Sequence, residues 1–288
     1  MVYNVVGLAI VRSGSNGEKI LLRNIINNRI LLIITSVLSL TASLAGIFYS
    51  QMYDPVVPAR IMPGVFTQDL ITILVSMILL VLAVRLRPNE YQKGIVMVGI
   101  LGFLFYAYGI YAIEQIYTPL YPLYLAILGL SFFGLIYTLT NLDVPALETL
   151  QLPKILRYGA AGYSILIAVI FNMIWFSQLI PLLQTGERIE YTFSVYIIDL
   201  VFIMPAFVIS AVMAIRQRSL GIIGLPSLFI VGAGILSPLA LGEVLKPFRY
   251  GTPTSTGDLI LFGVLSAVFL ILATVYLHTL RPGRSADL

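Results

Sequence analysis

The sequence predicts an all-α membrane protein with eight transmembrane helices, and three observations lead there. Of its 288 residues, 59% are hydrophobic and only 10% charged. A soluble domain carries about a quarter charged residues, so this chain has too little polar surface for a water-borne globule and needs lipid as solvent. Eight apolar stretches of the length that crosses a bilayer follow one another with short connections. Basic residues are dense on every other connection.

In chain order, VYNVVGLAIV at the N-terminus is too short to span and lacks a basic n-region, so it is not read as a signal peptide. EKILLRNIINNRI is amphipathic and basic and is expected to lie along the inner membrane surface. Residues 1–28 form this cytoplasmic, interfacial segment. A first four-helix unit occupies 29–140, with spans at 29–49, 67–86, 94–114 and 120–140. A cytoplasmic linker, 141–157, leads to a second unit at 158–279, with spans at 158–180, 195–215, 220–241 and 258–279, then a cytoplasmic tail, 280–288. No loop is long enough for a separate soluble domain.

Lys and Arg collect on the cytoplasmic side of membrane proteins. Of the 17, all but Arg60, Arg188, Lys246 and Arg249 lie on one set of connections, from Arg12 through Arg85, Arg157 and Arg216 to Arg284. Both termini are therefore expected in the cytoplasm of a cell whose plasma membrane holds the protein. Asp54, Asp69, Glu114, Glu187, Glu190, Glu243 and Asp258 lie at or near the opposite face. The basic pI is explained by this topology and not by nucleic acid. The absence of cysteine excludes disulfides, thiolate metal sites and thiol catalysis. With His278 as the lone histidine, haem ligation and His-based triads are disfavoured.

The chain also resembles itself. DLITILVSMILLVLAVRLR (69–87) and DLVFIMPAFVISAVMAIRQR (199–218) both open Asp-Leu, pass through Ala-Val and end Arg-x-Arg. Asp69 and Asp199 are 130 residues apart, Arg85 and Arg216 131, Glu114 and Glu243 129, Ser131 and Ser266 135. This predicts a 4+4 repeat. An even number of spans per half puts both halves the same way up, about an axis along the membrane normal.

Asp199 lies 17 residues before Arg216, or about 25 Å from the inner interface at 1.5 Å per residue. Asp69 falls at a similar depth. Two readings stay open: both cap helices descending from outside, or the repeat gathers them at a shared cavity beneath the outer surface. Glu114 and Glu243 end helices, where the dipole disfavours an anion, so capping does not account for them. Together the four would make an acidic vestibule suited to protons, hard metal ions or an organic cation; no metal can be specified and no cofactor is implied. Of the tyrosines around Glu114 (Tyr106, Tyr108, Tyr111, Tyr117, Tyr121, Tyr124), most are expected in an interfacial belt. Tyr111 can share a face with Glu114, and Tyr196 with Asp199, where their rings would suit an organic cation. Asn172, Trp175 and Gln178 recur every three residues, and Asn172 is expected to bond a neighbouring helix. Pro205 should kink the sixth span, and Pro226, Pro238 and nearby glycines should loosen the seventh.

Catalytic signatures are missing. GSNG and GTPTSTGD lack the Gly-Lys-Ser/Thr ending of a phosphate loop, and GAGIL lacks dinucleotide-binding spacing. No covalent role is assigned, and an enzyme is disfavoured. YIIDLVFIMPAFVISAVMAIRQRSLGIIGLP, with FLFYAYGIYA and LYLAILGLSFFGLI, resembles a widespread group of uncharacterised prokaryotic multi-spanning membrane proteins. The resemblance implies one integral-membrane module and no activity. The sequence thus points to binding or transport of a small solute, a cation, at an outward acidic site of Asp69, Asp199, Glu114, Glu243, Tyr111, Tyr196 and Asn172. The alternative is a non-transporting sensor or a scaffold for a membrane partner; a homo-oligomer is open in either case.

Overall fold

A computed structural model describes residues 24–87, 90–142 and 150–282. Among them are eight helices long and apolar enough to cross a membrane: α1 (Ile25–Phe48), α2 (Met62–Val84), α3 (Tyr91–Ile113), α4 (Tyr121–Thr140), α5 (Lys154–Thr185), α6 (Phe193–Ile215), α7 (Ser219–Leu245) and α8 (Thr256–Thr279). The chain is an integral membrane protein. Residues 1–23 of the expected interfacial segment and 143–149 of the linker lie outside the described residues. The surface helix expected to run up to Ile30 is not separate from the first span over its described part, because α1 is already helical at Ile25. The linker's end, β1 (Leu150–Gln151), pairs antiparallel with β2 (Arg281–Pro282), the start of the expected tail.

Chain chemistry sets the ends. Pro63 and Pro122 sit in the first turns of α2 and α4, where a missing N–H costs nothing. Gly186, at φ 70°, closes α5 by donating to Leu182 O. At 32 residues, α5 is about 48 Å long at 1.5 Å per residue, more than a hydrocarbon core is thick, so it tilts or projects.

Two helices form the centre. In α3, 78% of the apolar stretch is buried, in α7 67%, and in the other six 39% or less. α3 packs along α7; α1 packs on α2, α3 on α4, α5 on α6 and α7 on α8; α2 also reaches α7, and the start of α6 reaches α3. Backbones approach at glycines: a Cβ on Gly99 would lie 2.7 Å from Ile230, and one on Gly234 2.5 Å from Phe103. One on Gly232 would meet Phe269 at 2.8 Å. Gly232 and Gly234, read from sequence as loosening α7, are what lets it pack, since lipid supplies no hydrophobic drive between helices and close contact must. Leu74, Met77, Ile78 and Val81 on α2 and Ile260, Leu261, Val264 and Ile271 on α8 are exposed at helical spacing, apolar surface suited to contact with lipid.

The α1–α2 seam is polar but small. Thr35, Ser36, Ser39 and Ser43 are buried and donate to carbonyls of their own helix, and Ser39 also meets Ser76 of α2 at 2.7 Å. Arg29 of α1 donates to Leu86 O at 2.8 Å, just past the end of α2. Arg157 of α5 holds Gln217, just past the end of α6, whose amide oxygen accepts from Nη1 at 2.8 Å.

Candidate functional site

Asp69 is not a cap. α2 begins at Met62, seven residues earlier, and the side chain is 2% exposed. Its Oδ2 accepts from Tyr53 at 2.8 Å and its Oδ1 from Tyr111 at 3.2 Å. Tyr53 also meets the Tyr124 hydroxyl at 3.3 Å, which in turn accepts from Thr118. Tyr108 packs edge-on against Tyr111 and donates to Ser39 O. A carboxyl group in hydrocarbon is costly unless its oxygens are bonded, and four tyrosines from three segments surround this one. Gly46 on α1 makes room: a Cβ there would lie 2.0 Å from Asp69 Oδ2.

The interfacial belt therefore shrinks. Of the six tyrosines assigned mainly to it, Tyr106, Tyr108, Tyr111 and Tyr124 are buried, while Tyr117 is 60% exposed. Tyr53, which sequence reading missed, stands in a short 3₁₀ turn (Ser50–Tyr53) and gave no periodic signal.

Asp199 is likewise buried, inside α6 and not at its start. Trp175 Nε1 of α5 donates to Oδ2 at 2.9 Å, and Tyr106 of α3 sits beside the carboxyl group. Pro205 does not produce a simple kink. Residues Asp199–Ile203 form a π turn, in which Met204 N donates to Asp199 O, and the α-helix resumes with Pro205 in its first turn. The wider turn accommodates a residue that has no N–H and whose ring would clash with the carbonyl four residues back. Tyr196 reaches Gln178 at 2.7 Å and packs edge-on against Trp175; it is one contact removed from Asp199. Asn172 donates to Ala168 O of its own helix, not to a neighbour.

The two glutamates correct the expectation that capping cannot explain them. Each accepts a backbone N–H at the head of a helix other than its own, although α8 also has its own cap in Ser255, which accepts from Asp258 N. Glu114 Oε1 accepts from the backbone N–H of Ser194 at 2.8 Å and from its hydroxyl at 2.5 Å. Ser194 is the second residue of α6, where an N-cap oxygen would normally bond. Thr192, the N-cap, is left-handed at φ 70° and makes no side-chain cap. Glu243 pairs with Lys246, and its Oε2 accepts from Ser255 N at 2.9 Å at the head of α8. Its oxygens are thus both engaged.

Glu114 differs in that its Oε2 is buried and has no hydrogen-bond partner. The residue lines a half-open cavity of about 170 Å³ between the starts of α2 and α6, the end of α3 and the later part of α7. Val65, Ile110, Val195 and Leu239 make its wall apolar, and Gln68 and Tyr111 add polar groups. Of the expected site residues, the structure brings Glu114, Tyr111 and, through the Tyr111 hydrogen bond, Asp69 together. Asp199 with Tyr196, Asn172 and Glu243 stand elsewhere, each with its own partners. Among the described residues, no three His, Cys, Asp or Glu side chains cluster as metal ligands. No protein-family model, curated protein or solved structure matches the chain, which agrees with a resemblance that brings no activity with it.

Proposed function

We propose that this membrane protein binds a small organic ammonium ion in the cavity beside Glu114, entered from the outer face of the plasma membrane. The observation that carries the reading is Glu114, with a buried, unpartnered Oε2, in the lining of a mainly apolar cavity. An unsatisfied acceptor of this kind costs about 1–3 kcal/mol, and an N⁺–H donor relieves it. A cavity near 150 Å³ takes a molecule the size of benzene, so about 170 Å³ suits a compact amine. The Tyr111 ring offers a face to the cation, and its hydroxyl links the cavity to Asp69. Asp199, Glu243, Tyr196 and Asn172 then support the surrounding helices.

An internal duplication, read from the spacing of matching residues, supports this reading of the cavity. Arg29 and Arg157, 128 positions apart, each reach past the end of the next helix, to Leu86 and Gln217, 131 positions apart. Asp69 faces Gly46 and Asp199 faces Trp175, partners 129 positions apart. Three helix contacts pair in the same way, α1–α2 with α5–α6, α3–α4 with α7–α8, and α3–α7 with itself, whereas α1–α4 has no comparable counterpart in α5–α8. In this reading both halves have the same orientation, both termini are cytoplasmic, and the cavity lies where the halves meet, the usual place for a ligand in repeat-built membrane proteins. Hydroxyls along the α1–α2 seam donate to carbonyls of their own helix, which reads as packing and favours a binding or sensing module over a conduit.

The test is thermal unfolding of detergent-purified protein with a panel of small amines, alkali and divalent cations. A ligand of the folded state raises its melting temperature. Amines of benzene size should do so in the parent but not in Glu114→Gln, whose amide oxygen can still accept from Ser194. Equal shifts in parent and variant, or none for any amine, reject the site.

A further inference from the structure

At the other end of the bundle, the end of α2 and the starts of α1 and α3 converge. Arg29, Arg85, Arg87 and Lys93 line one cleft of about 510 Å³, together with Val84 and Leu86. We infer that this cleft binds a phosphate group, as the headgroup of an anionic phospholipid or as free phosphate. The inference is independent of the cavity at Glu114.

The charge balance supports it. Glu90 is the acid nearby, and it is already engaged: its Oε1 pairs with Lys93 at 2.6 Å and its Oε2 accepts from Arg87 N at 3.1 Å. The Lys93 hydrogen bond holds the Glu90 carboxyl below its ordinary range, so that carboxylate is already engaged. Among the described residues, none of the three guanidiniums has a carboxylate within ion-pair distance. Three like charges converging on one cleft repel one another, and a phosphate group, which accepts guanidinium forks through several oxygens, removes that repulsion.

Arg29 is already positioned. Its Nη2 is held by Leu86 O at 2.8 Å, while its Nε is buried without an acceptor. The same nitrogen is unpartnered in Arg157, so the orphan alone does not define a site. The surroundings differ: Arg157 is 6% exposed, held by Gln217 and lying 5.0 Å from the centre of the Tyr158 ring. The first half keeps an open basic cleft beside the same arginine. Val84, 56% exposed next to it, offers apolar surface to an acyl chain, so a lipid headgroup can be held with its tail along α2.

The experiment compares melting temperatures of the full chain in neutral detergent with added phosphatidic acid, phosphatidylcholine, inorganic phosphate or no addition. It includes Arg85→Gln/Arg87→Gln and, as control, Arg216→Gln/Arg218→Gln. Phosphatidic acid should raise the parent's melting temperature by several degrees and saturably, phosphatidylcholine should not, and the cleft variant should lose at least half of the rise while the control keeps it. Inorganic phosphate reproducing the full, variant-sensitive rise identifies free phosphate as the ligand; no rise with it identifies the lipid. Equal responses to both lipids, or equal losses in both variants, overturn the inference. Native mass spectrometry of co-purified lipid gives a second readout if the cleft variant unfolds too early to melt: anionic adducts on the parent that persist in the variant also overturn it.

Discussion

At the scale of single residues, the buried acids are held by donors that come from other segments. Replacing Tyr53 by Phe removes one hydrogen bond to Asp69 and should cost about 1 kcal/mol. Asp69→Leu should cost more, about 1–3 kcal/mol, because the Tyr53 and Tyr111 hydroxyls both lose the carboxylate and keep only their longer contacts to the Tyr124 hydroxyl and Val65 O. Unfolding of the two variants in detergent orders them, and equal losses would mean that the hydroxyls find other acceptors. Trp175 is the lone tryptophan, and it donates to Asp199, so fluorescence reports directly on that contact. Asp199→Leu should shift its emission to the blue, and Asp69→Leu should leave it unchanged. The sequence marked both aspartates as intramembrane acids, but Tyr53 carried no such mark: a residue in a connecting turn has no periodicity to tie it to a helix 16 positions away.

At the scale of elements, helix ends and irregular turns carry the local chemistry. Glu114 replaces the cap that left-handed Thr192 does not supply. Glu114→Ala should therefore lose about 1 kcal/mol relative to Glu114→Gln, a difference that denaturant titration of the two variants resolves. Gly46 is defined by what faces it. Gly46→Ala drives a methyl group against Asp69 Oδ2 and should cost about 1–3 kcal/mol by overpacking, whereas Gly64→Ala, where a Cβ meets nothing within 4 Å, should be near neutral. Thermal unfolding of this pair separates close approach from a general glycine effect. Pro205 was legible as an irregularity of α6. Its form was not, because the choice between a kink and a π turn depends on what the neighbouring helices allow.

At the scale of the whole molecule, charge asymmetry and the proposed duplication make claims about orientation that can be measured. The chain has no cysteine, so single cysteines can be introduced into an otherwise silent background. Thr185→Cys, at the end of α5, should react with an impermeant thiol reagent added outside intact cells. Thr279→Cys, at the end of α8, should react only after the membrane is opened. The reverse pattern would invert the topology and place the Glu114 cavity on the cytoplasmic side.

The sequence by itself determined the class and the number of spans, because a bilayer demands about 20 apolar residues per crossing whatever packs against them. It also singled out Asp69, Asp199, Glu114 and Glu243, since a charge in an apolar run is conspicuous without coordinates. Only the tertiary structure decided their partners. Spans that are apolar all round carry little periodic signal for which face turns inward, and side-chain hydrogen bonds between helices depend on rotations that hydropathy leaves free. So the four acids expected in one vestibule separate into a tyrosine-bound pocket, a tryptophan-bound pocket and two acceptors at the heads of other helices, and Glu114, which lines a cavity, keeps one oxygen unpartnered.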